Sequence, residues 1–119
     1  MIKIEIKNLP EVKRFLENLP KEKLQKVDAE LVKQAFNTEG EVKRSIAGQS
    51  QEPRSVDTGR FLNSVQTLIQ PKQAIIFSDV EYAKFLEYGS GKFQARRHFN
   101  NSAIRMKPKI IEAVKNAIK

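Results

Sequence analysis

The side chains that could carry chemistry are few. Glu81 and Glu87 offer themselves as paired carboxylates for acid–base work. They flank an apolar stretch with Tyr82 and Tyr88, and no spacing fixes their separation, so structural use is expected. Asp57, Asp79 and Glu81 could surround a metal, but they lack any ligand spacing. His98 is the sole histidine and stands between Arg97 and Phe99. A lone histidine in a basic segment reads as a surface or interface residue rather than a general base. Asp57-Thr58-Gly59-Arg60 resembles part of a phosphate loop without the Gly-x-x-x-x-Gly-Lys-Ser/Thr spacing. Its Asp and Thr can bond nearby backbone and its Gly supplies a positive φ, which predicts a structured turn entering a strand. The absence of cysteine removes a disulfide scaffold, a thiol nucleophile and a thiolate metal site together, and suits a reducing cytoplasm. The expectation is a protein with no catalytic residues, no cofactor and no metal.

Charge gives the stronger signal. The net charge is +8, and its distribution is uneven. Residues 1–50 carry ten Lys/Arg against eight Asp/Glu, residues 51–90 four against five, and residues 91–119 eight against one. The excess sits in the last quarter, which predicts a localised cationic surface and an anionic partner. Lys92, Arg96, Arg97, Arg105, Lys107 and Lys109, with Phe93 and Phe99 among them, have the composition of a surface that neutralises phosphates and stacks bases. The same residues suit an interface in which arginine forks engage an acidic protein face.

These residues must be positioned by one domain, since 119 residues have room for one ordinary core. No stretch approaches the roughly 18 apolar residues of a membrane span, and the opening residues lack a signal-peptide core, so neither secretion nor a membrane partner is expected. Ile2, Ile4 and Ile6 alternate with Lys3, Glu5 and Lys7, a half-buried strand over 1–7. Asn8 and Glu11 suit a helix start, and Val12, Phe15, Leu16 and Leu19 continue it to Pro20. Leu24, Val27, Leu31, Ala35, Thr38, Val42 and Ile46 keep one face over about 21–47, weakened at Gly40. A helix of roughly 40 Å is long for so small a domain, and part of it is expected to pack on something else, another subunit being one candidate.

Residues 48–55 have loop composition. Phe61 to Gln70 and Gln73 to Ser78 are strand-like runs separated by Pro71-Lys72, which predicts a hairpin. Tyr82, Phe85 and Leu86 suggest a short helix running into the loop Tyr88-Gly89-Ser90-Gly91. Ala103, Met106, Ile110, Val114 and Ala117 mark a C-terminal helix that Pro108 should kink or break. The sum is an α+β domain with an N-terminal strand, a long amphipathic helix, a β-hairpin sheet and a C-terminal helix. Within the single domain 1–119, residues 1–50 hold the strand and helices and 51–60 a loop. The hairpin takes 61–79, and the short helix, loop and C-terminal helix take 80–119.

Three segments then look familiar together: Val56-Asp57-Thr58-Gly59-Arg60-Phe61-Leu62-Asn63-Ser64-Val65, Tyr82-Ala83-Lys84-Phe85-Leu86-Glu87-Tyr88-Gly89-Ser90-Gly91, and Gln94-Ala95-Arg96-Arg97-His98-Phe99 running to Ala103. Their order and spacing resemble the tail-completion or head–tail joining proteins of long-tailed, siphovirus-type bacteriophages. That family shows a Thr-Gly-x-Leu-x-x-Ser-Ile block, a Tyr-Ala-x-x-Val/Leu-Glu-x-Gly-Thr/Ser block and an Ala-Arg-Pro-Phe block before a C-terminal helix. The resemblance covers about residues 9–118. His98 stands where the family has Pro, Phe61 where Leu is usual, Asn101-Ser102 where a Pro often precedes Ala103, and Pro108 is unexpected inside the last helix.

The resemblance implies a non-enzymatic virion part at the head–tail junction, assembled in the host cytoplasm. It would be a homo-oligomer, a ring of six with the isolated chain a monomer, between the tail tube protein and the head connector or stopper proteins. DNA would pass through its channel. A closed heterologous ring needs two complementary faces. Asp57, Thr58, Gly59 and Arg60 are expected to dock, as are Tyr88, Gly89, Gly91, Lys92, Phe93, Arg96, Arg97 and Phe99, with Arg96 and Arg97 reading charge. The alternative is a small nucleic-acid-binding protein using the C-terminal cationic surface. A third reading, a small basic ribonuclease with His98 as base beside Arg96 and Arg97, is not favoured by the three blocks.

Overall fold

The computed structural model describes residues 2–7, 19–56, 59–70, 73–91 and 94–118. Its elements are β1 (Ile2–Lys7), α1 (Lys21–Ile46), α2 (Arg60–Ser64), β2 (Gln66–Gln70), β3 (Gln73–Ser78), α3 (Ala83–Tyr88) and α4 (His98–Ala117). The sheet runs β1-β3-β2, with β3 antiparallel to both neighbours, Ile4 opposite Ile76 and Leu68 opposite Ile75. The chain is a small α+β domain measuring 52 × 22 × 21 Å, with α1 and α4 side by side against the sheet.

The alternation in β3 sends Ala74, Ile76 and Ser78 to the covered face, while Gln73, Ile75 and Phe77 remain half-buried. Beneath them lies the face of α1 formed by Val27, Ala35, Thr38, Val42 and Ile46, close to the expected set. Leu24 is the exception, exposed in the first turn. Thr38 is buried without cost because its hydroxyl donates to the Gln34 carbonyl at 2.8 Å. At the end of α1, Gly48 takes φ 78°, and a Cβ there would stand 2.7 Å from the Cβ of Arg54. Only glycine allows the 48–56 loop to fold back so closely.

Two expectations need correction. Phe61 to Ser64 form a helical turn, not the start of a strand, and β2 begins only at Gln66. Gly59 at φ 82° caps that turn, and the Ser64 hydroxyl closes it on the Phe61 carbonyl at 2.6 Å. The Gly59 turn therefore enters a helix rather than a strand. Pro108 does not break the last helix, which runs from His98 to Ala117 without interruption. Pro108 and Ile104 are both exposed, so the turn in which proline removes an amide donor lies on the outer side of the helix. Phe99, Ser102, Met106, Ile110 and Val114 form the buried stripe of α4. The expected helix start at Asn8 and Glu11, with Val12, Phe15 and Leu16, and the turn residues Pro71 and Lys72 lie outside the described residues. Among the described residues, no helix is long and apolar enough to cross a membrane.

Candidate docking site

The three sequence blocks meet in space. Gly59 aims the first block so that Phe61 enters the core, where its ring meets Tyr82 from the second block at 6.1 Å between centroids. The same ring meets His98 and Phe99 from the third block at 6.2 and 6.4 Å. The Tyr82 and Phe99 contacts are edge-on, the arrangement that aromatic quadrupoles prefer. The Arg96 amide donates to the Leu86 carbonyl at 2.7 Å, which pins the third block to α3.

Glu87 completes the junction. It is buried, and its carboxylate accepts the Phe99 and Asn100 amides at 2.9 and 2.8 Å, closing the first turn of α4. Burial pushes its carboxyl above the usual range, against the pull of those two amides. Glu81 sits in the opposite environment, exposed and forked to Arg60 at 3.0 and 2.9 Å. These two carboxylates share no site.

His98 corrects the expectation of a surface or interface residue: it is fully buried within the chain. Ser45 lies 2.7 Å from its Nδ1 and Ser55 2.7 Å from its Nε2. Ser45 also donates to Glu52 at 2.6 Å. An ionised carboxylate can only accept, so the proton order along the chain is determined. Ser45 gives its proton to Glu52 and accepts from His98 Nδ1–H. His98 Nε2 then accepts from Ser55, and Ser55 accepts from Arg96 Nη1 at 2.7 Å. The chain is thus directed from cation to anion, Arg96 to Ser55 to His98 to Ser45 to Glu52.

Glu52 is anchored by Arg105, whose fork meets it at 2.7 and 2.8 Å while its Nε reaches Glu41 at 2.9 Å. The Arg105 guanidinium holds Glu52 down to about 2 against the cost of burial, and Ser45 and Asn101 assist. Glu41 is also lowered: burial opposes the shift, but Ser50, Arg44 and Arg105 outweigh it. Among the described residues, no buried side-chain nitrogen or oxygen lacks a partner.

A serine on a histidine that leads to a carboxylate has the connectivity of an activated nucleophile. The details favour a structural role. Burial, with help from Arg96 and Arg105 and against the field of Glu52, lowers His98 to about 4, which makes it a poor base near neutrality. The Ser55 oxygen is already occupied by Arg96. The arrangement clamps the end of α1, the 48–56 loop and α4 together.

Outside this clamp lies an open groove of about 580 Å³. Arg54, Arg60 and Arg96 line it, above apolar surface from Val56, Phe61, Tyr82 and Leu86. Arg96 is held by the Arg54 carbonyl at 2.9 Å and by Ser55, and Arg60 lies over the Tyr82 ring, 5.8 Å from its centroid.

The expected docking residues divide accordingly. Gly59, Arg60 and Arg96 line the groove. Tyr88, Gly91 and Arg97 are exposed, and Arg97 takes φ 54° as it leads into α4. Gly89 takes φ 83° at the end of α3. Phe99 is corrected: at 2% exposure it is core, with no face for a partner or a base. Arg105 likewise belongs to an internal ion pair instead of an anion-reading surface. Asp57, Thr58, Lys92 and Phe93 lie outside the described residues.

Glu41, Ser45, Glu52 and Arg54 escaped the sequence reading. A signal existed for two of them: Glu41 and Ser45 adjoin Val42 and Ile46 on the buried face of α1, where a polar residue needs a partner. No protein-family model, curated protein or solved structure gives a significant match to this chain.

Proposed function

We propose that this chain is a non-enzymatic structural protein of a long-tailed bacteriophage, one that completes the tail and joins it to the head as a subunit of a ring. The observation that carries this reading is the convergence of the three blocks through which the sequence resembles that family. Phe61, Tyr82, Glu87, His98 and Phe99 build one junction, and that junction presents the groove with its three arginines. A domain that spends its histidine and most buried charges on clamping loops is suited to holding a docking surface in shape. The virion junction is the location this reading assigns.

Electron microscopy of a lysate from the parent phage lacking this gene tests it. Filled heads and finished tails lying apart are the expected result. Intact infectious particles would overturn it.

The second reading, nucleic-acid binding by the C-terminal cationic surface, draws on the exposed Lys107, Lys109 and Lys115 of α4. It loses Arg105 to an ion pair and Phe99 to the core. It requires duplex affinity that falls with salt, with a log–log slope of about −0.9 per neutralised phosphate.

A further inference from the structure

We infer that the groove over Phe61 and Tyr82 is a receptor for an acidic segment of a partner protein, one carrying an aliphatic or aromatic side chain between its carboxylates. This deepens the docking reading and rests on it only in taking the partner to be a protein.

Three observations lead there. The first is charge: Arg54, Arg60 and Arg96 line one concavity, and guanidinium forks match carboxylates in two-point geometry. The Arg96 guanidinium is already oriented by the Arg54 carbonyl and the Ser55 hydroxyl, so little side-chain freedom is lost when an anion arrives. The second is the surface between the cations. Half-buried Val56 and Leu86, with the part of Tyr82 that Arg60 leaves open, give an apolar floor over the buried Phe61 that rewards burial of a side chain, which a bare phosphate chain does not provide. The aromatic rings there are poorly placed for stacking a base. Phe61 is 3% exposed and Arg60 covers Tyr82.

The third observation is Glu81. Its carboxylate forks onto Arg60 although the two side chains are 70% and 58% exposed. A pair so open to water is held weakly. It is a placeholder: the chain's own carboxylate occupies the arginine fork in the way a partner's would. An incoming Asp or Glu takes that fork and releases Glu81 to water, so Glu81 competes with the partner.

The probe is the acetylated, amidated hexapeptide Asp-Asp-Phe-Leu-Asp-Glu, titrated into the isotopically labelled full chain and followed by amide chemical shifts. Its Asn/Gln analogue and a six-nucleotide oligo-dT serve as comparisons. The expected result is saturating shifts at Val56, Gly59, Phe61, Tyr82 and Leu86 with the acidic peptide, at least about tenfold weaker for the amide analogue, whose charge-assisted bonds are gone. Arg54→Glu with Arg60→Glu should weaken the peptide by about tenfold or more. Glu81→Gln should tighten it about two- to fivefold, a gain that no folding defect would mimic.

The inference is overturned by the absence of groove shifts up to about 5 mM peptide, a concentration that detects even millimolar binding. Equal response to the acidic and amide peptides overturns it, as does tighter oligo-dT binding in the groove. If the gene deletion leaves infectious particles but this titration succeeds, the virion reading fails and the receptor stands. If joining is lost but the titration fails, docking uses another face.

Discussion

Arg105 and Arg60 are both forked to glutamates, yet the two regions they serve behave as opposites. Arg105 lies inside the clamp, bonded to Glu52 and Glu41, and its partners are 5% and 8% exposed. Arg60 lies on the groove rim, where its pair with Glu81 is open to water. The first pair is a fixed part of the interior, because removing one member leaves buried charge behind. The second is exchangeable. Positive charge in this chain is therefore not one surface: some of it is neutralised internally so that the rest can be held in shape.

The largest effect that would break this comparison is at Arg105. Arg105→Ala leaves Glu52 in the interior without its counter-charge, while Glu41 keeps Arg44 and Ser50, and should cost about 3–5 kcal/mol, measured by urea unfolding. A loss no greater than that of an exposed arginine would place Arg105 in the same class as Arg60.

The next effect is one of pH, and its sign follows from burial. His98 is kept neutral in the fold, with its pKa lowered from 6.5 to about 4, while the unfolded chain protonates near 6.5. Between these values the unfolded state binds the extra proton, so stability is full above about pH 6.5 and falls as pH drops toward 4. From about pH 7.5 to about pH 5 the His98 contribution to the loss should be about 2 kcal/mol, offset in part by Glu87, whose raised carboxyl favours the fold as pH falls. Glu52, Arg96 and Arg105 face the ring, and only Glu52 favours its protonation. Glu52, lowered from 4.5 to about 2, adds a further loss as pH falls through that lower window. His98→Gln should flatten the upper part of the profile. An unchanged slope would assign the pH dependence elsewhere.

The smallest effect sharpens the other side. Arg60→Ala should leave the unfolding midpoint close to that of the parent, since an exposed pair contributes little. A larger loss in thermal or urea unfolding would mean that the groove rim is part of the clamp.

How much of this was legible in the sequence depends on how local the cause is. The strand at Ile2–Lys7, the long helix and the short helix at Ala83–Tyr88 follow from spacing alone, which is why periodicity found them. Phe61 reads as strand because its neighbourhood is apolar and β-rich. The helical turn there comes from Gly59 and a serine hydroxyl bonding back to a carbonyl. Pro108 reads as a kink or a break because the sequence does not say that it falls on the outer side of a helix held by its buried stripe. His98 reads as a surface or interface residue because its partners, Ser45 and Ser55, lie 53 and 43 positions away. Which group partners a buried polar side chain is a tertiary fact, and a single sequence reveals it only when that partner is near.

The same logic revises the natural mutational probe of docking. Arg96 and Arg97 are the cations the sequence singles out, but Arg96 bonds Ser55 and the Arg54 carbonyl, so reversing it disturbs the clamp as well as the groove. Arg54 and Arg60 are exposed and line the same groove, which separates the two roles. The most direct measurement is therefore complementation of a phage lacking this gene with the Arg54→Glu, Arg60→Glu double variant, scored by infectious titre and by microscopy, alongside its unfolding curve. The account predicts a protein within about 1 kcal/mol of the parent in stability, with heads and tails left unjoined. Wild-type titre from the same folded variant would contradict it.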